Sequence, residues 1–302
     1  MSKTIRPFGS WKSPVTSDLV ASETVTLDAV RVHGNAVFWL ERRPSEGGRS
    51  VIVRLEDSQK TDMIPAPYNA RSRVHEYGGG VYCTSEQGLY FVNDSDQDIY
   101  RAGHGAGPER ITGTGKAVRY ADLEPDRRHR RIICVCEDHS GTGTEPVNCL
   151  VSVDLATGAA ITLLQGYDFY SSPRVSPDGT KFAWLCWNHP DMPWDGTELW
   201  QADIDQQGRL RNPVHVCGAA GTSVFQPQWS PDDVLYFVTD ESGWWNLARL
   251  DPAGMTRLTD LKSEFGLPQW VFGQSTYAFS DSNTLHCTHI TDGTGRLSVL
   301  DT

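Results

Sequence analysis

The feature that most constrains the fold of this chain is an internal repeat. SSPRVSPDGTKFAWLCW from Ser171, FQPQWSPDDVLYFVTDE from Phe225 and GLPQWVFGQSTYAFSDS from Gly266 align with one another. Each offers a proline (Pro173, Pro227, Pro268), a large apolar residue two places on (Val175, Trp229, Trp270), a turn and an aromatic strand. The prolines are 54 and 41 residues apart. YADLEPDRRHRRIICVCED fits the same frame one period earlier, with Leu123 at the buried position, and YGGGVYCTSEQGLYFVND and LDAVRVHGNAVFWLERR read as degenerate copies before it. A period of roughly 40 to 55 residues holding several strands is the size of one four-stranded propeller blade. The expected fold is therefore all-β, a β-propeller with about six blade-like units.

The local signals agree. AVFWLE, VIVRLE, GLYFVND, RIICVCE, KFAWLCW, VLYFVTD, NLARLD and RLSVLDT are short runs of β-branched, aromatic and aliphatic residues, which favour extended backbone. Turn clusters such as PSEGGR, DSDQD, SPDGTK, DQQG and SPDD separate them, supplying positive φ and Asx-turn chemistry. One short helix is expected near the start, capped by Ser13 and opened by Pro14, with Val15 and Leu19 on a common face. The domain reading is an amino-terminal segment over residues 1–22 and a propeller over residues 23–302. The last strand, GRLSVLDT, corresponds to CLVSVDLATG at 149–158, where the chain runs on into a further strand. This leads to the expectation that the blade set stops short, leaving an exposed edge that favours association into a homo-oligomer.

A formal charge of −11 and a pI near 5.2 disfavour phosphate backbones and anionic lipid surfaces, so neither nucleic acid nor membrane is an expected partner. Seven cysteines without repeated spacing argue against a disulfide framework and for a reducing, cytoplasmic setting. MSKTIRPFGSWKSP has no apolar core of a secretion signal, and no run reaches the roughly 18 apolar residues of a membrane helix.

Catalytic motifs are missing. Ser50, Ser223 and Ser275 follow a glycine by two places but are followed two places on by Ile52, Phe225 and Tyr277, so none is a nucleophile elbow. TGTGKAV and GHGAGP lack the pattern of nucleotide loops. Asp94, Asp96 and Asp98 alternate as in a calcium loop, but Ile99 and Gly105 occupy the positions that need glycine and glutamate, which leaves a solvated hairpin turn. Cys287 and His289 share one strand face and His286 the other, so they do not converge on a metal, and Cys134 and Cys136 read as core thiols. No metal and no cofactor are expected.

Stretches over nearly the whole chain carry a resemblance: FGSWKSPVTSDLVA, RVHEYGGGVY, DQDIYR, RYADLEPD, GYDFYSSPRVSPDGTKFAWLCWNHPDMPWDGTELW, SVFQPQWSPDD, GWWNLARL and EFGLPQWVFG. They resemble the amino-terminal propeller of prolyl oligopeptidase-family serine peptidases, in the dipeptidyl aminopeptidase and acylaminoacyl peptidase branch. The resemblance implies a substrate-gating domain that acts on peptides, with the serine, aspartate and histidine triad supplied by an α/β-hydrolase domain in cis that this sequence lacks. No catalytic residue carries over, and the chain alone is expected to be inactive.

What such a propeller contributes is a hold on the peptide. A free amino terminus is a cation, and holding it takes a partly desolvated carboxylate. NHPDMPWDGTELW offers Asp191, Asp195 and Glu198, with Trp194 beside them, in a loop stiffened by Pro190 and Pro193. Glu76 in VHEYGGG is the other candidate, because Gly78, Gly79 and Gly80 allow backbone or ligand to approach closely. Each has a structural alternative: a turn for Asp195, a strand position for Glu198, packing for Trp194, an ion pair with Arg71 or Arg73 for Glu76. His75 and His189 read as structural histidines, and of Trp244 and Trp245 at most one can face a cavity. Two other classes stay open, a stand-alone interaction scaffold and a metal-dependent propeller hydrolase using residues such as Asp122.

Overall fold

A computed structural model describes residues 5–17, 19, 24–103 and 107–302. Among these the chain forms six antiparallel sheets, each a meander of strands in chain order, and the fold is an all-β propeller of blade-like sheets. Five sheets have four strands and the last has three. The chain divides into two compact units at residues 62 and 63.

The first unit contains one sheet: β1 (Thr26–His33), β2 (Ala36–Arg43), β3 (Arg49–Glu56) and β4 (Gln59–Asp62). Asp57 and Ser58, at φ 48° and 64°, turn β3 into β4, as two-residue hairpins of right-twisted strands require. The helix expected after Ser13 runs into residues outside those described. At its start the Val15 N–H donates to Ser13 Oγ and the Leu19 N–H to Thr16 Oγ1.

The second unit holds the other five sheets: β5 (Tyr82–Ser85), β6 (Gly88–Val92), β7 (Ile99–Ala102) and β8 (Glu109–Arg110); β9 (Val118–Asp126), β10 (Arg131–Asp138), β11 (Val147–Asp154) and β12 (Ala160–Leu164); β13 (Phe169–Val175), β14 (Lys181–Trp187), β15 (Thr197–Ile204) and β16 (Leu210–Ala219); β17 (Val224–Trp229), β18 (Leu235–Thr239), β19 (Asn246–Asp251) and β20 (Gly254–Arg257); and β21 (Tyr277–Phe279), β22 (Thr284–Thr291) and β23 (Thr294–Asp301).

These sheets pack face to face, which explains why their central strands read as unbroken apolar runs. In β14, Phe182, Trp184 and Cys186 pack with Ile133, Val135 and Leu150 of the preceding sheet. The alternate residues Ala183 and Leu185 pack with Val224, Leu235 and Phe237 of the following one. Successive side chains of a strand point to opposite faces, so a strand buried on both faces needs apolar residues throughout. The same logic buries Cys134 and Cys136 of β10.

Two sequence readings change. Pro173 and Pro227 lie in β13 and β17, but Pro268 lies outside any strand, and Trp270 is 53% exposed where Trp229 is 8%. The third repeat thus keeps the sequence pattern and loses the strand. Asp98 is not solvated but fully buried: Thr112 Oγ1, Thr114 Oγ1 and the Thr114 N–H donate to its Oδ1, and Arg110 pairs with its Oδ2. Buried polar oxygens are costly unless hydrogen-bonded, and these donors meet that need.

Candidate functional site

Three loops of the second unit, together with Phe169 of β13 and Trp187 of β14, build one pocket: the loop before β5, the 188–196 loop between β14 and β15, and the connection before β21. The first is held in an uncommon conformation. His75 and Glu76 have φ of 51° and 64°, and after Tyr77 positive φ returns at Gly78, Gly79 and Gly80. A non-glycine residue in this region costs roughly 1–2 kcal/mol, so local partners must fix it. The Gly78 N–H donates to Val74 O at 3.0 Å, and the His75 N–H to Glu137 Oε2 at 2.8 Å. Arg119 Nη1 reaches Glu137 Oε1 at 2.9 Å and Arg73 O at 3.1 Å. The glycines serve close backbone approach: the Phe272 N–H donates to Gly78 O at 2.9 Å, and a Cβ on Gly79 would lie 2.4 Å from Phe272 O.

The 188–196 loop is a pair of tight turns. The Asp191 N–H donates to Asn188 O, the Asp195 N–H to Met192 O, and the Met192 N–H to Asp195 Oδ2. Gly196 leaves room for Asp191 Oδ2, which would lie 2.8 Å from a Cβ there. At the loop's base the Asp168 N–H donates to Asn188 Oδ1 and the His189 N–H to Asp168 Oδ2.

The pocket measures about 130 Å³ and is walled by rings. Phe169 of β13 stacks on Trp187 of β14 with centroids 5.4 Å apart. The His75 ring meets Phe169 edge-on at 5.1 Å and lies 5.1 Å from Phe272. Trp194 and Trp270 lie 4.6 Å apart, and Tyr77 meets Trp270 at 5.8 Å. Burial pushes the His75 pKa below its usual value, with the Glu137 charge and the nearby Asn148 amide opposing in smaller measure. Although Asn148 is close enough to act on the ring, His75 Nε2 and Asn148 Oδ1 meet no partner in hydrogen-bond geometry. Gln269 Oε1, also of a lining residue, is likewise buried without a partner.

The candidates from sequence fall into two sets. Trp194 lines the pocket. Glu76 lies between the lining residues His75 and Tyr77; its side chain is 87% exposed, and it meets Arg119 at 3.8 Å rather than Arg71 or Arg73. Arg73 pairs with Asp94 instead. Asp191 and Asp195 flank the lining residues Met192, Pro193 and Trp194. Glu198 is not among the lining residues: its Oε2 accepts the Tyr167 hydroxyl at 2.7 Å and Trp200 Nε1 at 2.8 Å. His75 and His189, read as structural, line the pocket, whereas Trp245 packs in the core and Trp244 is 39% exposed. Asp122 is buried, accepting the Ser172 N–H and pairing with Arg174. Among the described residues no group of three or more His, Cys, Asp or Glu is placed to hold a metal ion, and no helix is long and apolar enough to cross a membrane.

Phe169, Gln269 and Phe272 had no sequence signal of their own. Their only hint was their place in GYDFY and LPQWVF.

Solved structures settle the family. A puromycin-hydrolyzing peptidase of Mycobacterium tuberculosis matches with a TM-score of 0.88 and 35% identity over 99% of this chain. A puromycin hydrolase variant complexed with PGG matches with a TM-score of 0.90 and 33% identity over 98% of it. The chain is a prolyl oligopeptidase-family β-propeller. It spans 48% of the length of each of these two relatives. An oligogalacturonate lyase in complex with manganese, at 15% identity and a TM-score of 0.59 over 87% of the chain, shares the propeller fold alone. No protein-family model and no curated protein matches the sequence.

Proposed function

We propose that this propeller admits and holds substrate for a serine peptidase that acts on the amino-terminal end of short peptides, the catalytic triad belonging to an α/β-hydrolase domain in cis. The observation that carries this reading is Glu76, a carboxylate with one long ion pair, set between two residues of an aromatic pocket. Such a group is free to meet a peptide ammonium at the rim of the pocket. The relatives named for puromycin hydrolysis support it, since they match this chain along nearly its full length. Asp191 and Asp195, beside the same pocket, add negative potential for the approach of a cation.

The test begins with the native protein, detected with an antibody to this chain and exposed to a fluorophosphonate serine-hydrolase probe. A labelled species well above 33.5 kDa is the expected result, and an unlabelled one at that mass overturns the peptidase reading. In the labelled protein, Glu76→Gln should raise KM about two- to fivefold for free-amine peptides, as loss of an exposed charge contact does, with kcat and N-acetylated substrates little changed. An equal effect on both substrate types removes Glu76 from amine recognition.

A further inference from the structure

We propose that Cys136 and Cys149 form an oxidation site, closing into a cross-strand disulfide under hydrogen peroxide and opening again under thiols; the assignment does not depend on the substrate role proposed above.

The pairing register carries it. Cys136 of β10 and Cys149 of β11 are direct antiparallel partners, so their side chains leave the sheet on the same face. Opposed residues of such a pair have Cα atoms roughly 4.5–5.5 Å apart, inside the roughly 4.4–6.8 Å that a disulfide spans. The two thiols are already hydrogen-bonded to each other. Cys134, two places back on the same face, opposes Val151 instead.

The second observation is the edge beside Cys149. Both cysteines are nearly buried, at 5% and 6% exposure. The outer strand β12 pairs with β11 only as far as Leu150, after a register shift between Val151 and Leu150. Cys149 is the next residue, and its sulfur meets the hydroxyl of the exposed Thr162. Access this narrow suits a peroxide better than a bulky disulfide.

The two sulfurs are unequal. The hydrogen bond from Cys136, joined by that from Thr162, holds the Cys149 thiol below the usual cysteine range against the effect of burial. The same bond, together with burial, pushes Cys136 up. Cys149 is therefore the attacking thiolate. Its sulfur takes one peroxide oxygen, the O–O bond breaks, and the departing hydroxide picks up a proton to leave as water. Cys136 then gives up its proton, displaces the hydroxyl of the Cys149 sulfenic acid as a second water and forms the S–S bond. Two electrons pass from the thiols to the peroxide. In a reducing setting such a bridge is transient, as redox-sensing disulfides are.

The next register pair joins the bridge to the pocket. Glu137 opposes Asn148; Glu137 accepts the His75 N–H, and the Asn148 amide acts on the His75 ring. Drawing two sulfurs to the roughly 2.05 Å of a disulfide shifts β10 against β11 one residue away.

The test adds hydrogen peroxide to the native chain, alkylates the remaining thiols in denaturant and cuts the protein after Glu137 without reduction. Mass spectrometry is expected to show the Cys136 and Cys149 peptides joined and two hydrogens lighter than the sum of the free-thiol peptides, and separated by dithiothreitol. Cys134→Ser should bridge as fully as the native chain, and Cys136→Ala should lose the bridge. Where Cys136→Ala does not fold, the Cys134→Ser result decides. Full alkylation of both thiols after peroxide, bridging that appears only in urea, or a bridge from Cys149 to Cys134 overturns the site. The His75 ring proton signal, assigned by NMR with His75→Phe, should shift on bridging and return on reduction. An unmoved signal overturns the link to the pocket.

Discussion

The backbone N–H of His75 donates a 2.8 Å hydrogen bond to Oε2 of Glu137, a buried carboxylate at the end of β10. Glu137 Oε1 also takes Arg119 Nη1 at 2.9 Å and His139 Nε2 at 2.5 Å. One side chain thus holds two adjacent sheets' worth of loop geometry. It places His75 in the pocket, and through Arg119 it stands one step from Glu76.

Glu137→Gln keeps the shape and removes the charge that Arg119 pairs with. The expected outcome is a loss of stability of about 1–3 kcal/mol by urea unfolding and weaker binding of free-amine peptides. Unchanged ligand binding in a destabilised variant would confine Glu137 to a structural role.

His75 gives a pH signature. Burial lowers its folded pKa beneath the usual value of 6.5, while the unfolded chain keeps the usual value, so below pH 6.5 the unfolded state binds the extra proton first. Stability from this group is therefore full above about pH 6.5 and falls as pH drops toward the lowered folded pKa. His75→Phe should flatten that part of the profile, read as urea midpoints between pH 7.5 and 5. A parallel decline in both proteins would assign the acid loss to other groups.

Gly79 is closed to any side chain. It sits at φ 104°, and a Cβ would lie 2.4 Å from Phe272 O. Gly79→Ala should cost more than about 1 kcal/mol by urea unfolding, by separating the 73–80 loop from Phe272. A cost near zero would show that the contact between the two segments is dispensable.

Asp98 supplies a test remote from the pocket. Removing it by Asp98→Ala leaves the Arg110, Thr112 and Thr114 donors without their shared acceptor, an expected cost of about 3–5 kcal/mol. A cost under about 1 kcal/mol, measured by denaturant unfolding, would mean that water replaces the carboxylate.

The repeat determined much on its own. Strand runs such as KFAWLCW and VLYFVTD declared their conformation because both faces of each are buried against neighbouring sheets, so nearly every position had to be apolar. Turn clusters such as SPDGTK and DQQG marked the hairpins because their backbone demands it, with Gly179 at φ 70° and Gly208 at φ 76°. The HEYGGG stretch likewise announced a close approach of backbone. What approaches was decided only in three dimensions: Phe272, far along the chain, bonded to Gly78. The same is true of the pocket. Phe169, Trp187, His75 and Phe272 meet because loops from separate sheets converge, and no local period encodes that meeting. Trp270 repeated the pattern of a buried Trp229 yet lies exposed against Trp194, because burial depends on which strand pairs beside a residue and not on the residues next to it in sequence.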